Sequence, residues 1–255
     1  MKLSLLDLSL ILPGQNRETA LKTTIEIAVF IESLEYHRIW LGEHHSSNYI
    51  AGRAPEILIA AVAQHTSKIR IGSEAVLLSH YSPYKVAEVF CTLSELHPGR
   101  IDLGVGRASS GPVTDFALQQ ERRKKVKLDS TQQVHELCAW LNSDFEEHHP
   151  FSRHPIDTID PLPELHILGT NRWSALLAAE LGLRYVYAGF LNQSSTKEVF
   201  QVYRDNFRPS SNKTGIAAPE IVLATPYILR RQRDRSKADV STGYCTGPAS
   251  GTRRS

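Results

Sequence analysis

Short apolar runs alternate with longer amphipathic stretches along the chain, and this alternation predicts strands separated by helices. Residues 3–10 read as a first strand, ended by Pro13-Gly14. Across residues 18–36, Leu21, Ile25, Ala28, Val29 and Leu34 recur at helical spacing. The same reading places further strands at 38–41, 70–78, 101–105, 165–168, 184–188 and 220–224. Helices are predicted at 54–66, at 83–96 before the stop Pro98-Gly99, up to about Leu141, and at 174–181 and 196–207. Between them lie a polar stretch holding Glu121-Arg122-Arg123-Lys124-Lys125 and a Pro- and His-rich loop at 148–163. Strands that alternate with helices make a parallel α/β fold. Seven strand-helix units with no eighth predict a TIM (β/α)8-type barrel that is incomplete, with about seven strands. The alternative is an open, doubly wound sheet.

The pattern stops near Thr225, so residues 1–225 are read as the barrel domain. Of the last 20 residues, 11 are Gly, Ser, Thr or Pro and Val240 is the only branched aliphatic. Such a segment buries too little apolar area to offset its ordering entropy, and residues 226–255 are expected to form a disordered tail. The tail is also basic, with seven Lys/Arg against two acids, in a chain whose formal net charge is +2. That small net charge, and a basic run at 122–127 without interleaved aromatics, argue against a nucleic-acid partner. No run approaches the roughly 18 apolar residues of a membrane span. Residues 1–13 are apolar, but Asp7 interrupts them and no small-residue cleavage site follows, so a signal peptide is not expected. Cys91, Cys138 and Cys245 form no disulfide or metal spacing. A cytoplasmic protein is the expectation, with no metal, because His65, His80, His97 and His154 are scattered.

Four segments carry candidate chemistry. Trp40-Leu41-Gly42-Glu43-His44-His45 ends the second strand, at the edge where a parallel α/β protein gathers its site. His44 and His45 can exchange protons near neutral pH there, and an adjacent carboxylate can fix a tautomer. Two adjacent histidines are equally consistent with a polar surface, as His148-His149 illustrates. Gly104 and Gly106, ending the fourth strand, leave room for a bulky group, and Arg107 offers a bidentate anion ligand. The incomplete G-x-G-x-x-G here, with Ser109 in the third position, argues against a dinucleotide fold. Thr170, Asn171 and Ser174 sit before a helix, where they either cap it or help its free N–H groups hold a phosphate. Gly72-Ser73-Glu74-Ala75 places small residues in an apolar strand, which suits either close ring approach or tight packing.

Taken in order, these segments resemble the bacterial luciferase-like monooxygenases, in particular the alkanal-monooxygenase-like branch. The resemblance runs through Leu5-Leu6-Asp7-Leu8-Ser9, the W-L-G-E-H-H segment, residues 70–88, the P-G-R-I-D-L-G-V-G-R-A segment and residues 167–183, and it fades after Thr225. It implies a flavin-binding barrel, with His44 in acid/base chemistry beside the flavin and His45 as its neighbour. Ala75 matches the residue after a non-prolyl cis peptide under the ring, and Arg107, Thr170, Asn171 and Ser174 match ligands of the flavin phosphate. Gly106 stands where some luciferases have a reactive cysteine. Glu74 departs from the pattern, being charged where the family has a small residue close to the ring.

The activity implied is oxygenation of a small organic, alkanal-like substrate by O2, using reduced FMN as co-substrate from a separate flavin reductase. A non-catalytic flavin-binding protein, an inactive shortened paralogue and a deazaflavin-dependent oxidoreductase remain open as alternatives. An incomplete barrel exposes strand edges, which makes a homo-oligomer possible.

Overall fold

Ser4–Asp7 forms β1, paired in parallel with β2 (Arg38–Leu41) so that Leu5 lies beside Ile39 and Asp7 beside Leu41. This computed structural model describes residues 2–119, 129–153, 155–156, 160–192 and 194–226. The chain divides into units 1–225 and 226–255. The expected disordered tail, and any eighth strand built from 238–245, lie outside the described residues.

β3 (Arg70–Ser73, resuming at Val76–Leu77), β4 (Ile101–Gly106), β5 (Glu164–Gly169), β6 (Arg184–Ala188) and β7 (Ile221–Ala224) follow in chain order. Every neighbouring pair is parallel, and the sheet runs β1 to β7 without a reversal of order. A doubly wound sheet would reverse at a switch point, so that alternative falls. The sheet curls into a nearly closed barrel, as expected for an incomplete TIM-type fold. Among the described residues, β1 and β7 are each paired on one side only.

Among the described residues there are seven α-helices: α1 (Arg17–Ser33), α2 (Pro55–His65), α3 (Pro83–Leu96), α4 (Pro112–Leu118), α5 (Ser130–Asn142), α6 (Arg172–Glu180) and α7 (Thr196–Asn206). Local chemistry sets their ends. Asn16, Asp129 and Asn171 accept from backbone N–H groups in the first turns of α1, α5 and α6. Pro55 and Pro83 open α2 and α3, where the missing N–H costs nothing. Apolar faces of these helices meet the barrel wall in one core that includes Ala28, Ile59, Val62, Phe90, Leu137 and Tyr203.

Two local features depart from the sequence reading. Residues 112–118 form α4 inside the stretch read as merely polar. β1 stops at Asp7 rather than near residue 10, because Ser9 turns left-handed (φ 54°) and the chain continues to an isolated antiparallel bridge between Leu10 and Ile50.

A third feature shapes the site. Ile71 and Gly72 pair with Ile101 and Asp102, but Val76 and Leu77 pair with Val105 and Gly106. Ser73, Glu74 and Ala75 therefore stand against only Leu103 and Gly104, which is a β-bulge. The hydroxyl of Ser73 replaces the lost ladder bond, donating to the Gly104 carbonyl (3.0 Å) and accepting from its N–H (2.9 Å). Glycine is required opposite the bulge: a Cβ on Gly104 would lie 2.0 Å from the Glu74 carbonyl oxygen. The cis peptide implied by the resemblance is not found here, since the Glu74–Ala75 bond is trans and Asp160–Pro161 is cis.

The opposite, N-terminal mouth is closed by charge. Asp102 is fully buried and accepts four hydrogen bonds: from Arg70 Nε and Nη2 (2.8 and 2.6 Å), Arg38 Nη1 (2.6 Å) and Trp40 Nε1 (2.9 Å). Glu164 bridges Arg38, Arg70 and Arg184, and Arg184 also reaches Glu220.

Candidate active site

β2 ends at Leu41, and the next residues line the C-terminal mouth of the barrel. Glu43 is buried and its carboxylate is held three ways. Oε2 accepts from the Leu77 N–H (3.0 Å), while Oε1 accepts from the Tyr81 hydroxyl (2.6 Å) and meets His45 Nε2 (2.7 Å). Burial pushes the Tyr81 hydroxyl well above its ordinary range, so it donates as a neutral phenol. Glu43 thus orients His45, much as a carboxylate orients the histidine of a proton-transfer pair. The sequence contained this signal, since Glu43 precedes the histidines, but only the fold supplies Leu77 and Tyr81 as its other partners.

Among the described residues, the three partners of that carboxylate do not include His44. The His44 side chain is half-buried, with Nδ1 buried and without a hydrogen-bond partner, and burial pulls its basicity below that of a free imidazole. Glu74, on the bulge of the next strand, is also buried, and desolvation alone raises its carboxyl to about 7. The two meet at Gly42: a Cβ there would lie 3.0 Å from Glu74 Oε2 and 3.3 Å from His44 Nδ1. Behind them His166 stacks on Trp40 (4.4 Å) and meets the Glu74 carbonyl through Nε2 (3.1 Å). Burial lowers His166 to about 4, so its ring is neutral at ordinary pH. Nothing in the strand pattern singled out His166.

The second cluster begins one residue beyond the bulge. A Cβ on Gly106 would lie 2.9 Å from that of Ala75, so the open side of this glycine is filled by the bulge itself. Arg107 follows and lays its guanidinium over the Trp173 ring at 4.7 Å. It has no carboxylate partner among the described residues. A cavity of about 10 Å³ lies here, bounded by Gly106, Arg107, Gln133 and Trp173 among others, room for about one water. Asn171 and Ser174 are occupied locally: Asn171 Oδ1 accepts from the Ser174 N–H (3.0 Å), and the buried Ser174 hydroxyl donates to the Asn171 carbonyl (2.8 Å). Thr170, next to them, is half-buried. The fold therefore brings the β2 histidines, the bulge, Arg107 and the start of α6 to one mouth.

α4 lies over the same mouth. Thr114 hydrogen-bonds Ser46 (2.6 Å), and Asp115 lies 3.4 Å from His80 Nε2. Among the described residues no group of three or more His, Cys, Asp or Glu side chains could hold a metal, and no helix is long and apolar enough to cross a membrane.

A family profile described as luciferase-like monooxygenase matches residues 1–252, which extends past the Thr225 limit read from the motifs. The chain belongs to the luciferase-like monooxygenase family. It is 42% identical over 212 residues to the uncharacterized protein YwcH of Bacillus subtilis, covering 82% of this chain and 63% of that one. It is 40% identical over 228 residues to the N-acetyl-S-alkylcysteine monooxygenase of the same organism, covering 88% and 68%. A solved structure of apo-MsnO8 superposes with a TM-score of 0.77 at 40% identity, covering 87% of this chain and 64% of that one. The oxygenating constituent of 3,6-diketocamphane monooxygenase from Pseudomonas putida, solved with FMN, shares the fold at 22% identity and a TM-score of 0.65, over 82% and 64% of the two chains. The chain thus spans about two thirds of the length of these relatives.

Proposed function

We propose that this family member is a flavin-dependent monooxygenase that uses reduced FMN from a separate reductase, and O2, to oxygenate a small organic substrate. The observation that carries the reading is one mouth holding both an arginine without an ion pair among the described residues and a half-buried histidine whose Nδ1 has no partner, in a chain of this family.

The residues fit the cofactor. Among the described residues, the charged contact of Arg107 is its stacking on Trp173, worth about 0.5–2 kcal/mol. Hydrogen bonds to a charged phosphate contribute about 1.5–3 kcal/mol each, so an anion displaces the indole contact. Arg107, Thr170 and the first turn of α6, whose N-terminus favours negative charge, would hold the phosphate. Asn171 and Ser174 support this end by fixing the helix start. Ala75 and Glu74 on the bulge, with Gly106 behind, would lie toward the ring.

Bound reduced FMN supplies the activation of O2. His44 would hold or give a proton at the reacting centre, and His45, oriented by Glu43, would be its polar neighbour. The buried walls around them exclude water.

The test is to add FMN to purified protein and follow its absorbance and fluorescence, then supply reduced FMN, O2 and either a long-chain alkanal or an N-acetyl-S-alkylcysteine. Saturable FMN binding and flavin-dependent product from one substrate are expected. Binding without product from a broad panel would favour the non-catalytic alternative, and preference for deazaflavin over FMN would favour the hydride-transfer one.

A further inference from the structure

The buried Glu43 carboxylate collects three donors. Leu77, the last residue of β3, gives its N–H to Oε2 (3.0 Å), and Tyr81 and His45 both meet Oε1 (2.6 and 2.7 Å). Tyr81 sits on a turn that is itself pinned. Its N–H donates to the Leu78 carbonyl (3.1 Å), and Gln133 Nε2 of α5 donates to the same oxygen (3.1 Å). The Glu43 side chain is 1% exposed and that of His45 14%, so these contacts run from a sealed interior out to the mouth. A carboxylate has no proton to give, and its buried oxygens need donors. The Leu77 N–H can only donate, and burial keeps the Tyr81 hydroxyl a neutral donor. The His45 nitrogen that meets the same carboxylate must therefore donate as well.

We propose that Glu43 and Tyr81 are positioning residues that hold the neutral His45 ring in its Nε2–H tautomer and leave Nδ1 as the ring's acceptor. A ring fixed in this way suits a ligand group that carries an N–H or O–H. Other polar groups nearby are engaged elsewhere. Asp115 of α4 holds the Ser109 hydroxyl and the Ser110 N–H (2.8 Å) and lies 3.4 Å from His80 Nε2. Ser46, next to the ring in sequence, hydrogen-bonds Thr114 (2.6 Å). Glutamine at residue 43 separates a positioning role from a purely architectural one, because it has a single acceptor oxygen. The Leu77 N–H is fixed by the backbone, so that oxygen must take the Leu77 side and the amide NH2 then meets Tyr81 and His45. A hydroxyl can turn to accept from it, but His45 Nε2 can accept only if the ring proton moves to Nδ1.

What the acceptor receives rests on the proposed function, but the tautomer does not, so the deciding measurement uses the protein without flavin. Nitrogen-15 NMR spectra of the histidine rings, recorded at about pH 9 where an ordinary imidazole is neutral, read which nitrogen carries the proton. The His45 signals are assigned by their loss in His45→Gln. The parent should show Nε2–H, and Glu43→Gln should move that proton to Nδ1. Tyr81→Phe should keep the Nε2–H tautomer but exchange that proton with water roughly tenfold faster, the equivalent of one lost hydrogen bond. A parent ring protonated on Nδ1 overturns the proposal whether or not any variant folds. A folded Glu43→Gln that keeps Nε2–H makes Glu43 architectural only, and unchanged exchange in Tyr81→Phe removes Tyr81 from the device. A protein that binds no flavin can still pass this test, and an active monooxygenase can fail it.

Discussion

The two mouths of the barrel are built from the same kind of residue to opposite ends. At the N-terminal mouth, Asp102 is fully buried and each oxygen accepts two donors, while Glu164 ties three arginines from β2, β3 and β6. At the C-terminal mouth, His44 Nδ1 is buried without a partner, burial raises the Glu74 carboxyl, and among the described residues Arg107 rests on an indole rather than a carboxylate. A satisfied buried network contributes rigidity, whereas unsatisfied groups cost stability and remain available to a ligand. The contrast makes the first mouth a structural clamp and leaves the second as the candidate site for a ligand.

Four changes would break or sharpen that contrast. The largest effect is expected for His44→Ala, which should cut oxygenation by about 10²–10⁴-fold, the usual weight of a positioned acid or base, with FMN affinity nearly unchanged. Steady-state turnover and a flavin titration on the same sample check it; undiminished turnover would remove His44 from the chemistry.

Asp102→Ala should strip buried Arg38 and half-buried Arg70 of their fully buried carboxylate, leaving only Glu164 to pair them, and destabilise the fold by about 3–5 kcal/mol, read from denaturant unfolding. A loss below 1 kcal/mol would mean that the N-terminal mouth is not the clamp described here.

Glu74 should act in the opposite sense. Its folded carboxyl titrates near 7, above the ordinary 4.5, so the folded state favours the protonated form. Stability is then fully present below about pH 4.5, is lost as pH rises from there to 7, and levels off above, the total being on the order of 3 kcal/mol. Glu74→Gln should remove this slope and unfold at a higher denaturant concentration than the parent at pH 8. Parallel stability curves for the two proteins between pH 5 and 8 would contradict it.

Arg107→Ala should weaken FMN binding by about 1.5–3 kcal/mol without lowering the unfolding midpoint, because this arginine makes no ion pair among the described residues. Unaltered affinity would place the phosphate elsewhere.

Much of this architecture was legible in the chain. The periodic segments α1, α3, α5 and α7, and strands such as Arg184–Ala188, sit within a few residues of where their patterns put them. α4 was not legible, because seven residues with no buried side chain leave no apolar stripe to read. The site was legible in part: E-H-H at a strand end, and the arginine after Gly106, gave the right edge of the sheet. The roles of Glu43, Tyr81 and His166 were not, since their partners are 34 to 92 residues distant in sequence.

What the sequence determined by itself was the succession of elements. Side-chain spacing and capping chemistry act over a few residues and need no knowledge of the rest of the chain. What only the tertiary structure decided was register. Arg38, Arg70, Asp102 and Glu164 become one network because parallel pairing puts them at one level of the barrel. One extra residue in β3 then turns Glu74 and Ala75 toward Gly42 and Gly106. Pairing sums small energies over distant segments, so a single added residue moves a charge from one environment to another without disturbing the local pattern that a sequence displays.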